Sequence, residues 1–64
     1  MNKFAETLKE LMDEQGLNQL ALADLLGIRQ SQISNWLNGR SLPNYTSLQL
    51  IKDAFSVSID DFFT

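Results

Sequence analysis

Between positions 30 and 38 the polar residues are Gln30, Ser31, Gln32, Ser34, Asn35 and Asn38, all of them amides or hydroxyls. Such groups both donate and accept hydrogen bonds, which suits the mixed donor and acceptor edges of base pairs. No acid interrupts the set, so nothing in it repels a phosphate. The net charge of −3 argues against a polyanionic partner, but its distribution does not. Residues 1–24 sum to −3, residues 25–52 hold Arg29, Arg40 and Lys52 with no acid and sum to +3, and residues 53–64 sum to −3. A docking polyanion meets local charge, not net charge.

Other chemistry has little to stand on. The chain has no Cys and no His, which excludes disulfides and an ordinary zinc site. There is no paired serine and base, and no phosphate-cradling glycine loop. Asp60 and Asp61 are adjacent on a short helix, where capping explains them better than catalysis does. The expectation is a non-enzyme without cofactor, metal or small-molecule ligand. No apolar run approaches the ~20 residues that span a bilayer, and the N-terminus does not follow the signal-peptide pattern. A cytoplasmic protein without membrane association is expected.

Short helices must position these groups. Phe4, Leu8, Leu11 and Met12 recur at helical spacing, with Asn2 as cap and Gly16 as stop, giving a helix over about residues 3–15. Asn18 caps a second helix over about 19–26, whose apolar set is Leu22, Ala23, Leu25 and Leu26. Gly27 and Ile28 form a tight turn into a third helix, about 30–38, with Ile33, Trp36 and Leu37 apolar and Gly39 as stop. Pro43 and Asn44 start a fourth, with Leu48, Ile51, Ala54 and Phe55 inside. Ser58 and Asp61 suggest a capping box for a last short helix carrying Ile59, Phe62 and Phe63. The fold class is all-α, five short helices in one domain over 1–64, with nothing that reads as a strand, linker or repeat. Two short helices joined through a stiff glycine turn leave the second free to protrude, and a helix fits the major groove.

The run LNQLALADLLGIRQSQISNWLNG resembles the helix-turn-helix of phage lambda-type and 434-type repressor and Cro proteins, within the wider Xre-type group. The stretch RSLPNYTSLQLIKDAFSVSIDDFF is similar to that family's fourth and fifth helices, so the resemblance covers Phe4 to Phe63. It implies a lambda repressor-like DNA-binding domain with its helix-turn-helix at about 18–38. It further implies a sequence-specific regulator of transcription, of repressor type, acting as a homodimer on a pseudo-palindromic operator in a bacterial cell or phage-infected host. Gln19 and Gln30 match the glutamines that open the family's second and third helices, one on the DNA backbone and bracing the other, which reads a base. Ser31 and Asn35 match further base-reading positions, and Gln32 lies beside them. Asn38 matches a phosphate-contacting Asn, and Arg40 continues that edge. Asn44 and Tyr45 open the fourth helix, whose first amides suit a phosphate. Tyr45 fits a half-buried packing residue equally well, and Arg29 reaches either backbone or base.

Three residues depart from the family pattern. Arg29 stands where the family prefers Ser or Thr, which implies a displaced or looser start to the third helix. Leu37 stands where many members have Glu, and Ser56 replaces a common Gly. The scarcity of cations implies a shallow salt dependence unless two subunits combine. Leu37, Phe62 and Phe63 are candidates for an exposed dimer surface, although the two phenylalanines also suit a core-closing role. A competing reading keeps the scaffold as a protein-interaction module, antitoxin-like or antirepressor-like, which the acidic balance favours. The chain fits a complete Cro-like protein or a domain of a longer regulator.

Overall fold

Three asparagines start three helices. In the computed structural model, which describes residues 2–62, Asn2 opens α1 (Lys3–Gln15), accepting at Oδ1 from the Ala5 N–H at 2.8 Å. Asn18 opens α2 (Gln19–Leu26) by accepting from Ala21 at 2.7 Å, and Asn44 opens α4 (Tyr45–Phe55) by accepting from Ser47 at 2.8 Å. Each such cap satisfies an N–H with no partner inside the helix and contributes about 1 kcal/mol. The remaining α-helix, α3 (Gln30–Leu37), begins after Arg29 and lacks a side-chain cap of this kind.

The helix ends share one device. Gly16, Gly27 and Gly39 adopt left-handed φ of 67°, 69° and 74°, and Ser56 does so at 55°. The next residue then donates back across the last turn: Leu17 to Met12, Ile28 to Ala23, Arg40 to Asn35 and Val57 to Lys52, at 2.9–3.2 Å. This closure satisfies carbonyls that the helix leaves open. Glycine adopts a left-handed φ without steric penalty, whereas Ser56 carries a Cβ that crowds its own carbonyl. Ser56→Gly is therefore expected to stabilise the domain by about 0.5–1 kcal/mol, the steric relief less glycine's larger unfolded-state entropy. A thermal melt checks this, and a fall in midpoint would contradict it.

Packing follows the helical phase. The core is Phe4, Ala5, Leu8 and Met12 of α1, Leu22, Ala23 and Leu26 of α2, Ile33 and Trp36 of α3, Ile51 of α4, and Phe62. No polar or charged side chain is buried among the described residues. The Phe4 ring meets Trp36 edge-on at 6.2 Å between centroids and lies 5.2 Å from Phe62. Leu11, Leu17, Ile28, Leu37, Leu48, Phe55 and Val57 pack around this core half-buried.

Two expected core residues turn outward: Leu25 is 57% exposed and Ala54 is exposed. Each follows a buried anchor, Leu22 or Ile51, by three residues, and in both helices the residue at the fourth position faces inward instead. At about 100° per residue that choice rotates the third position off the stripe. The fifth helix is not an α-helix but a single 3-10 turn, η1 (Ile59–Phe62). Asp61 donates its N–H to the Ser58 carbonyl at 3.1 Å, and its Oδ2 accepts from the Ser58 N–H at 3.1 Å. Four residues are too few to propagate α-helix, so the tighter turn wins. Phe62 is fully buried, so it closes the core and offers no dimer surface. Leu37 is half-buried, and Phe63 lies outside the described residues.

Candidate nucleic-acid interface

Helix α3 divides cleanly between an inner and an outer face. Ile33 and Trp36 anchor it in the core, while Gln30, Ser31 and Gln32 form an exposed first turn. Ser34 and Asn35 are half-buried, and Asn38 is exposed at the C-terminal end. Apolar anchoring on one side holds the polar side outward without any polar contact to the core. The turn between α2 and α3 is only Gly27–Arg29, and α2 packs directly on α3.

The start of α3 is not displaced by Arg29. The Arg29 N–H donates to Gln32 Oε1 at 3.3 Å, and the Gln32 N–H donates to the Arg29 carbonyl at 3.1 Å. This is half of a capping box, because a guanidinium has no acceptor to offer the helix. Gln32 thus commits one lone pair of its oxygen to the backbone and keeps its amide donors and a second lone pair for any ligand.

At the other end, the Asn35 carbonyl accepts from Arg40 at 2.9 Å and Ser41 at 3.4 Å, which fixes the loop after the helix. Asn38 Nδ2 donates to Ser34 Oγ at 3.3 Å, leaving the Asn38 side-chain oxygen and one N–H. Asn44 uses Oδ1 as the α4 cap, so its Nδ2 group is what remains to donate. Tyr45 is 69% exposed, not half-buried, and its hydroxyl accepts from Gln49 Nε2 at 2.6 Å, with the phenolic hydrogen left to donate. Gln19 is half-buried and Gln30 exposed, each at the first position of its helix. The two share no hydrogen bond.

Charge separates along the same lines. Lys52 lies 3.8 Å from Asp53, and Lys9 lies 3.9 Å from Asp13. Arg29 and Arg40 are exposed and make no ion pair among the described residues. A shallow groove along α1, lined by Glu6, Lys9, Glu10 and Asp13, is net acidic and disfavours a polyanion. Sequence reasoning passed over Lys3, which sits in the acidic first segment. A Cβ at Gly39 would stand 3.9 Å from Asn2 Nδ2, so the start of α1 lies beside the Asn38–Arg40 edge. That proximity is tertiary and has no signal in local charge. Among the described residues there is no cluster of potential metal ligands, and no helix is long and apolar enough to cross a membrane.

Comparison with known proteins agrees with this geometry. A curated relative, the HTH-type transcriptional activator BcrR of Enterococcus faecalis, is 37% identical over 62 residues. That similarity covers 97% of this chain but 30% of the relative, so the chain spans less than a third of BcrR's length. The crystal structure of a transcriptional regulator from Listeria innocua superposes with a TM-score of 0.84 at 30% identity, covering 92% of this chain and 55% of that one. The helix-turn-helix family model HTH_3 matches residues 8–62, most of the chain, and the chain therefore belongs to the Xre/Cro-type helix-turn-helix family of DNA-binding domains.

Proposed function

We propose that residues 1–64 form one domain that binds double-stranded DNA sequence-specifically and regulates transcription. One observation carries the reading: α3 presents an exposed, acid-free first turn of amides and a hydroxyl, bracketed by two arginines without ion pairs. In this docking Gln30, Ser31, Asn35 and Gln32 read base edges, Gln32 while its oxygen also holds the Arg29 N–H. Gln19, Asn38, Arg40, Asn44 and Tyr45 clamp the phosphates, and Arg29 stands at the border of the two groups. The domain works as a homodimer, because one subunit offers too few cations to hold an operator alone. Its place is the cytoplasm of a bacterial cell or phage-infected host. Repression by occlusion is the simplest outcome, since it requires occupancy alone. The E. faecalis relative is named an activator, and most of its length lies outside the part that this chain matches.

Selection of sites from a random duplex library, then titration of the winner at several salt concentrations, tests the reading. A two-fold-symmetric site with half-sites ~10–10.5 base pairs apart is expected. Arg40 on a phosphate in each subunit predicts a log–log salt slope of about −2 for the dimer, and Arg29 deepens it only by holding a phosphate too. No enrichment and no salt dependence would favour instead a protein-interaction module. The exposed Leu20, Leu25 and Leu42 are the observation on that side.

A further inference from the structure

Helix α3 breaks, at both ends, the pattern that the other three α-helices follow. α1, α2 and α4 each begin on an asparagine whose oxygen caps the first turn. After their left-handed closing residues come Leu17, Ile28 and Val57, all half-buried against the core. α3 begins on Arg29 and its closing Gly39 is followed by Arg40, and both arginines are exposed. Arg29 is the odder of the two. It cannot cap, and it sets a positive charge at the positive end of the helix dipole. Gln32 repairs the backbone through its side-chain oxygen, at 3.3 Å from the Arg29 N–H. The Arg29 guanidinium itself makes no ion pair or hydrogen bond among the described residues. A side chain that opposes the local rules without serving the fold belongs where a ligand uses it.

Two ligand groups match a guanidinium fork: a phosphate, and the O6/N7 edge of guanine. Position decides between them. The N-terminal residues of a recognition helix reach base edges, and Arg29 immediately precedes the exposed Gln30 and Ser31. Arg40 lies eleven residues further on, past the left-handed Gly39 that closes the helix. We propose that Arg29 is a specificity-determining residue that selects a guanine in each half-site, beside the base pair read by Gln30. The inference rests on the DNA-binding reading above. Arg29 then adds a G·C requirement to a face whose other members are neutral, and Gln32 is the positioning residue that frees it.

The test is site selection with the wild-type chain, Arg29→Ser and Arg29→Lys, with a thermal melt of each. Serine restores a capping residue, so Arg29→Ser should melt no lower than wild type, and lost selectivity cannot then be ascribed to unfolding. The expected result is a wild-type site with one strongly preferred guanine per half-site. Arg29→Ser should keep the rest of the site and lose about 5- to 150-fold of the preference for that guanine. Arg29→Lys should retain part of the preference, since a lysine reaches the same acceptors without the fork. If wild type selects a site but Arg29→Ser selects the same guanine, or weakens every duplex equally, Arg29 is not a base reader and the inference falls alone. If wild type enriches no site, the DNA-binding reading falls and takes the inference with it.

Discussion

Phe4→Ala is expected to remove about 3–5 kcal/mol of stability, the usual cost of truncating a fully buried phenylalanine. Phe4 is 1% exposed, and its ring touches Trp36 of α3 on one side and Phe62 of η1 on the other. Three elements therefore lose a contact together. A 64-residue domain holds on the order of 3–10 kcal/mol in total, so the loss is comparable with the whole. At about 4–8 °C per kcal/mol for a domain of this size, the melting midpoint should fall by roughly 12–40 °C in a circular-dichroism melt. Phe4→Leu keeps most of the apolar volume and should fall much less. A loss under about 1 kcal/mol for the alanine variant would mean that the site collapses around the cavity, and that the aromatic cluster is not what ties α1 to α3.

Gln30→Ala should have a large effect on recognition. Its amide is exposed at the first position of α3, and a bidentate amide contact to adenine carries about 1–3 kcal/mol of discrimination, roughly 5- to 150-fold. The variant should bind its best site more weakly while losing preference at one base pair per half-site. Arg40→Ala provides the contrast. It should weaken binding to all duplexes to a similar degree and make the salt slope shallower by about one per subunit. Competition titrations against single-base variants of the selected site separate the two patterns. Equal losses for both variants across all sequences would refute the docking in which α3 enters the groove by its first turn.

The helix boundaries were legible because their signals are local. Asn2, Asn18 and Asn44 announce starts through a side chain that reaches three residues ahead, and Gly16, Gly27 and Gly39 announce the ends through a φ that other residues avoid. The exposed set on α3 was legible for a related reason, since Ile33 and Trp36 fix the phase of the helix. What escaped the sequence depends on which neighbour fills a given space. Leu25 and Leu26 are equally apolar, and only packing decides that Leu26 enters the core. Phe62 suits both core and surface by sequence alone, and its ring contact with Phe4, distant in sequence, resolves the choice. The sequence places Gln32 beside the base-reading positions, and only the structure shows that its oxygen also holds the Arg29 N–H. A missing cap is visible in a sequence, but the residue that replaces it is not.

The contact between Phe4 and Phe62 also bears on how such a domain travels between proteins. Phe4 of the first helix and Phe62 of the last turn meet ring to ring, 5.2 Å between centroids, so these two elements share one corner of the domain. A module with adjoining ends can be spliced into a host loop, or hung from another domain, without stretching either connection. Helix α3 lies between those two elements in sequence, and its orientation is fixed by the buried Ile33 and Trp36. Recombination can thus change what is attached to the domain while leaving the exposed face of α3 in register.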